Sequence, residues 1–263
     1  MFLQSRALNL LAFFAAENAL VYMHPETLVR SAMTSKKQPK PKTKPNHAHD
    51  PHVTRFDPKT ILEKVRPTPF MDTGLSDEEK IDRIAVHFRE IMEIMGLDLE
   101  NDSLRDTPKR VARMYVREIF RGLSVAHFPK ITVVENEMDY DQMVVVRDVN
   151  VMSMCEHHFV TIHGHAHIAY IPNKRVIGLS KINRIAQYFA RRPQVQERLT
   201  KQIADCLEFV LSTKDVAVYI QAKHFCVISR GIEDVNSSTT TSDLRGAFKH
   251  NAETRAEFLR ACE

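Results

Sequence analysis

The sequence predicts an α+β fold: an antiparallel sheet with two consecutive helices on one face, preceded by N-terminal helices. Three observations predict it. Helical and strand-like periodicities come in blocks, in the order helices, strands, two helices, strand, helix, with no strict alternation of strand and helix. The strand-like stretches are β-branched and alternate apolar with polar residues, the pattern of a sheet with unlike faces. Only seven of the 263 residues are glycine, and neither GxGxxG nor GxxxxGK[ST] occurs. That argues against a doubly wound parallel sheet built around a phosphate-binding loop.

Each element has a local reason. Ser76 and Glu79 form a capping box, and Ile81, Ile84, Ala85, Phe88, Ile91, Met92 and Met95 follow at helical spacing until Gly96 stops the run. Thr107-Pro108 opens a second helix with proline in its first turn, and the stripe Val111, Met114, Tyr115, Ile119 carries it to Gly122. The period then changes, and residues 131–134, 143–151 and 159–171 read as strands. Ser180 is expected to cap a helix through Arg192. Pro193 breaks it, and another helix runs from about residue 195 to 211. Residues 216–222 are a further strand, and Asn251 caps a last helix to about Cys262.

Charge and composition divide the chain near residue 56. Residues 1–56 hold eight Lys/Arg against three acidic residues and no glycine, whereas the remaining 207 hold 29 basic and 30 acidic groups. The body is therefore electrically balanced, which argues against the clustered positive face of a nucleic-acid binder. No apolar run reaches the roughly 20 residues of a membrane span. Residues 34–52 are rich in proline and lysine and read as a disordered linker. Residues 7–23 are apolar, but only Arg6 precedes them, Glu17 interrupts them, and no clean cleavage site follows. They are expected to be an N-terminal extension, or sequence upstream of a true start at Met33, in preference to a targeting peptide. The expected organisation is an extension over 1–56 and a catalytic domain over 57–263, in a cytoplasmic protein unless residues 7–23 act as a targeting segment.

The strongest chemical signal is Cys155-Glu156-His157-His158 between two strands. A thiolate and an imidazole three residues apart can turn to one metal at a bend, and His224-Phe225-Cys226 offers the third ligand. Cys155, His158 and Cys226 make a Cys₂His set with one tetrahedral position left for water, the pattern of catalytic zinc. His157 and His224 would stand beside it as proton carriers. The alternative is two buried cysteines among hydrogen-bonded histidines. His163, His165 and His167 alternate along one strand face; a second metal site is conceivable there, although strand alternation explains them without function. Ser180, Lys181 and Arg184 open a helix, and Arg230 follows Cys226 by four. Such cations suit a triphosphate, or else form a solvated basic face. Gln196-Glu197 opens the next helix, either as a dipole partner or as an acceptor for a purine edge.

The stretches CEHHFVTI, YIPNKRVIGLSKINRIAQYFARRPQVQERLT, HFCVISRGI and TTTSDLRGAFK resemble the zinc-dependent GTP cyclohydrolase I family, over residues 76–263 and in family order. The resemblance implies a tunnelling fold, a homodecamer of two pentamers with active sites between subunits, one Zn²⁺ per subunit and GTP as substrate. It implies hydrolytic opening of the guanine imidazole ring, release of formate and rearrangement to 7,8-dihydroneopterin triphosphate, the entry to folate or tetrahydrobiopterin. By the same match the zinc ligands are Cys155, His158 and Cys226, and the proton-transfer residues are His157 and His224. Ser180 assists the ribose rearrangement, and Gln196 and Glu197 recognise guanine. Lys181, Arg184, Arg230 and Arg110 hold the triphosphate, with Lys181 and Arg184 reaching a neighbouring subunit's site. HGHAHI is richer in histidine than the family usually is, and residues 1–56 match nothing in it. Two rivals remain at this stage: a nitrile reductase of queuosine synthesis, which shares the fold, and a non-catalytic zinc-binding assembly protein.

Overall fold

The computed structural model describes residues 52–263. The readings made for residues 1–51, namely the apolar stretch 7–23, the start at Met33 and nearly all of the linker, lie outside them. Among the described residues no helix is long and apolar enough to cross a membrane.

The helices are α1 (Pro58–Lys64), α2 (Asp77–Ile94), α3 (Thr107–Arg113), α4 (Leu179–Ala190), α5 (Gln196–Leu211), α6 (Phe225–Ile228), α7 (Ala247–His250) and α8 (Ala252–Ala261). The strands are β1 (Val53–Arg55), β2 (Thr132–Glu135), β3 (Val144–Cys155), β4 (Thr161–Tyr170), β5 (Arg175–Ile177), β6 (Pro193–Gln194), β7 (Val216–His224) and β8 (Thr239–Leu244). The main sheet runs β6-β3-β4-β7-β8, antiparallel except for the short β3–β6 pairing. A small antiparallel sheet, β1-β2-β5, stands apart from it. The predicted α+β class and its two consecutive helices are present. Val53–Arg55, just ahead of residue 57, pairs with β2.

The core fills the space between one face of the main sheet and helices α4 and α5. Val149, Val151, Ile162, Ala166, Ile168, Val218 and Ile220 meet Ile182, Ile185, Phe189, Leu199, Ile203 and Leu207, all 2% exposed or less. The two helices bury their apolar stripes there, as their sequence period requires. On the opposite face Ala169 and Ala217 pack under Phe248 and Phe258 of the C-terminal helices, covering one end of the sheet.

Local rules hold where side chains reach backbone. Ser76 accepts from the Glu79 amide and Glu79 accepts from the Ser76 amide, so the capping box forms. The Asn251 side chain accepts from the amides of Glu253 and Thr254. Ser180, in contrast, is not a cap. α4 starts at Leu179 after extended Gly178, and Ser180 lies inside the first turn with no capping hydrogen bond. The helix expected from Thr107 to Gly122 also divides. After Arg113 it widens into a π-helical turn, Met114–Ile119, and then a 3₁₀ turn, Arg121–Leu123. The wide turn brings the Tyr115 and Phe120 rings to 5.5 Å, with Phe159 5.3 Å from Phe120. This aromatic contact is the structural counterpart of the lost α-helical register.

Gly164 fixes the spacing at the sheet's centre. A Cβ there would stand 2.0 Å from the Gln221 carbonyl oxygen and 2.5 Å from Ala222 Cα, both backbone atoms of the paired strand. Gly164→Ala must therefore push β4 from β7 and lower stability by about 1–3 kcal/mol. Urea unfolding checks this, and an unchanged midpoint would contradict the close approach.

Candidate metal centre and its surroundings

Strand register builds the site. β4 pairs with β3 through Thr161↔Met154 and with β7 through Ile162↔His224. The turn after β3 and the end of β7 thus meet at one rim of the sheet. In that turn Cys155 N–H donates to the Val160 carbonyl (2.8 Å) and Phe159 N–H donates to the Cys155 carbonyl (2.9 Å). Phe159 closes the bend with φ 51°. β7 ends at His224, and α6 carries Cys226 onward.

One ligand atom each from Cys155, His158 and Cys226 lies within 4.8 Å of the others. Cys155 is buried, Cys226 half-buried and His158 exposed, so the group opens to solvent on the imidazole side. Burial, then the Cys155 thiol beside it, pushes the Cys226 thiol up. Two thiols close together at an open rim, with an imidazole in reach, are a donor set suited to a borderline-soft cation such as zinc. Arg230 donates from Nη1 to His158 Nε2 at 2.8 Å, and His157 Nδ1 stands 3.8 Å from Cys155 Sγ.

His224 is held from behind. Its Nε2 donates to Gln196 Oε1 at 2.7 Å. The Gln196 amide nitrogen donates to the carbonyls of Ile220 and Thr239, both at 3.0 Å, and lies 3.1 Å from Thr241 Oγ1. With its amide fixed in this way, Gln196 turns its oxygen to His224 and keeps the proton on Nε2, leaving Nδ1 as acceptor. Burial pushes the His224 pKa down, and the neighbouring Glu197 carboxylate opposes it. Gln196 is 1% exposed, with its carboxamide committed inside the chain; Glu197, one residue on, is exposed.

Sequence reasoning missed Arg198. Its guanidinium grips Glu156 with two hydrogen bonds, 2.6 and 3.0 Å, and ties the Cys155–His158 turn to the first turn of α5. That bond holds the Glu156 carboxyl below its ordinary range. The only signal was the position of Arg198 beside Gln196-Glu197, since a pair 42 residues apart in sequence leaves no local pattern.

The remaining candidates stand elsewhere. Ser180, Lys181 and Arg184 lie in the first two turns of α4, and Arg110 in α3 pairs with Asp106 at 3.5 Å. Among the described residues none of the four is hydrogen-bonded to the Cys/His group, whereas Cys155, His157, His158, His224, Cys226 and Arg230 gather at one rim of the sheet and Gln196, at the start of α5, is bonded to His224.

The family described as GTP cyclohydrolase I matches residues 84–263. A GTP cyclohydrolase 1 of Aeromonas hydrophila subsp. hydrophila is 59% identical over 192 residues, 73% of this chain and 88% of that protein. One from Shewanella amazonensis is 58% identical over 199 residues, 76% and 92% of the two chains. Among solved structures, an archaeosine synthase QueF-like protein in its apo form superposes with a TM-score of 0.33 at 12% identity, over 38% of this chain and 90% of that one.

Arg198→Met should release Glu156 and loosen the turn that carries two of the three donors. Metal affinity should fall about 10-fold, within the usual range for a supporting residue. Competition against a chromophoric chelator measures it, and unchanged affinity would show that the turn stands without its tether.

Proposed function

Because the chain belongs to the GTP cyclohydrolase I family, we propose that it converts GTP and water to formate and 7,8-dihydroneopterin triphosphate on a single Zn²⁺ held by Cys155, His158 and Cys226. The observation that carries this reading is the convergence of those two thiols and one imidazole within 4.8 Å at an open rim. Relatives at 57–59% identity named GTP cyclohydrolase 1 favour it over the nitrile reductase and the non-catalytic zinc protein.

Zinc, when bound, supplies a Lewis acid that makes water nucleophilic near neutral pH. The chain's own groups do the rest. His224, kept as its Nε2–H tautomer by Gln196, offers Nδ1 to take and return a proton while the guanine C8–N bonds break. His157, exposed beside Cys155, is the second proton carrier at N7. Glu197 accepts from the N1–H and 2-amino donors of guanine. Adenine lacks that pair and would leave the carboxylate unmatched. Gln196 supports this recognition from within, by fixing the start of α5 and orienting His224. Arg230, Lys181, Arg184 and Arg110 neutralise the triphosphate, and Ser180 serves the later rearrangement of the ribose carbons.

α4 carries Ser180, Lys181 and Arg184 without a bond to the metal group of its own chain. This supports a shared site completed by a neighbouring subunit, in a decamer of two pentamers. Residues 57–263 are then the catalytic body and 1–56 an extension, in a cytoplasmic enzyme that draws on the nucleotide pool.

The decisive experiment is purified protein with GTP, read as formate and as pterin fluorescence after oxidation. Chelation and Cys226→Ala should each remove activity and metal together, by at least about 10³-fold in rate. Zinc-replete protein that yields no pterin would reject the reading. Glu197→Gln should weaken guanine preference more than triphosphate affinity. An unchanged ratio of GTP to ATP binding would remove Glu197 from the role.

A further inference from the structure

The three histidines of HGHAHI have no part in the chemistry above, and the fold gives them a face of their own. Ile162, Gly164 and Ala166 of β4 point into the core, so His163, His165 and His167 share the opposite face. The C-terminal helices cover that face around Ala169, Ala217 and Tyr219. His163 and His165 are exposed, with ring centroids 6.2 Å apart. Two imidazoles on one tetrahedral metal, with N–metal bonds near 2.0–2.1 Å, have centroids roughly 5 Å apart. Small χ rotations of exposed side chains close that difference.

Register sets the neighbours of the pair. His163 lies between Met152 on β3 and Lys223 on β7, and His165 between Asn150 and Gln221. The Lys223 ammonium is drawn off to the Val235 carbonyl at 3.0 Å. The Met152 thioether is on the same face, directly across from His163, at the separation of cross-strand side chains. Two residues along, His167 is 7% exposed, yet its Nδ1 has no hydrogen-bond partner. Burial pushes its pKa down. A buried imidazole nitrogen without a partner costs stability unless something occupies it.

We propose that the open face of β4 is a second metal site, in which His163 and His165 chelate a borderline transition-metal ion of the imidazole-preferring kind, with Met152, paired with His163, as a further donor. Imidazole with thioether excludes the hard cations Mg²⁺ and Ca²⁺ and suits Zn²⁺, Ni²⁺ or copper. The site is independent of the Cys155, His158 and Cys226 group and opens on the face of the sheet away from α4 and α5.

The test uses the full chain, first loaded with a single equivalent of zinc per chain, then titrated with Ni²⁺ and followed by calorimetry and metal analysis. One further equivalent of Ni²⁺ per chain is expected. It should be lost, or weakened at least 10-fold, in the double variant His163→Ala/His165→Ala, while the tightly held zinc and formate release from GTP stay as in the parent. His163→Gln/His165→Gln serves the same purpose if the alanine pair lowers stability. Absence of the extra equivalent, or Ni²⁺ binding unchanged in both double variants, overturns the proposal.

Discussion

The rest of the structure depends on one strand being paired on both sides. β4 joins β3 through nine residue pairs and β7 through nine more. Gly164 lets the second pairing close to a distance that no side chain on the core face would permit. Hydrogen-bond register is discrete, so a slip of one residue would exchange the two faces of the sheet and separate the turn after β3 from the end of β7. The candidate metal group is therefore a consequence of register: Cys155 and Cys226 are 71 positions apart, and only the common partner strand brings them together. A centre made this way is rigid on its sulfur side, where backbone hydrogen bonds hold both ends. It is open on the side of His158, whose contact with Arg230 lies at the surface.

Behind this rim the chain spends polar groups in its interior. Gln196, Thr200, Gln194 and Gln202 are all 1% exposed or less. Buried amides cost stability unless satisfied, and most of these are. Gln202 donates to the Arg66 carbonyl and Gln194 to the Phe189 carbonyl, each at 2.8 Å. Gln196 differs in that its bonds end on a candidate catalytic ring. An apolar residue at that position would pack as well and leave His224 free to exchange tautomers, which would mix donor and acceptor at Nδ1. Here a cost in folding is coupled to a fixed proton position, a link between stability and chemistry that runs through one side chain.

How much was legible in the sequence follows from the range of each interaction. Ser76 with Glu79, Asn251, Pro108 and the apolar stripes of α4 and α5 act within a few residues, and they appear where the sequence places them. The Cys155, His158 and Cys226 set was legible because chemistry restricts which residues can share a metal, even across the chain. The Arg198–Glu156 pair was not, since arginines and glutamates are common and no local pattern marks the partner. The π turn after Arg113 was hidden because Tyr115 and Phe120 fit a helical stripe equally well; the ring of Phe159, from another element, marks where that stripe packs. Gly178 displaced Ser180 as the start of α4 because a backbone already extended at Gly178 sets the first turn there, whatever side chain follows.

The strand that reads least like one completes the argument. β8 contains Thr239, Thr240, Thr241 and Ser242 with no apolar alternation, and the sequence offered only hydroxyls at that place. It is nevertheless bound to β7 through six residue pairs. Its end is fastened by Arg245, which contacts Asp243 and reaches Asp205 and Glu208 on α5 at 2.6 and 2.8 Å. Hydrogen bonds to these partly buried carboxylates push the Arg245 pKa up, against the opposing effect of burial. An edge strand of this composition buries little apolar surface, and its worth lies in what it offers. The Thr239 carbonyl and Thr241 hydroxyl are two of the groups that receive the Gln196 amide. The sequence of dependence therefore runs from a charge cluster at the far end of α5, through a polar strand, to the amide that orients His224. That is why a hydroxyl-rich stretch without ligands of its own belongs to the candidate site.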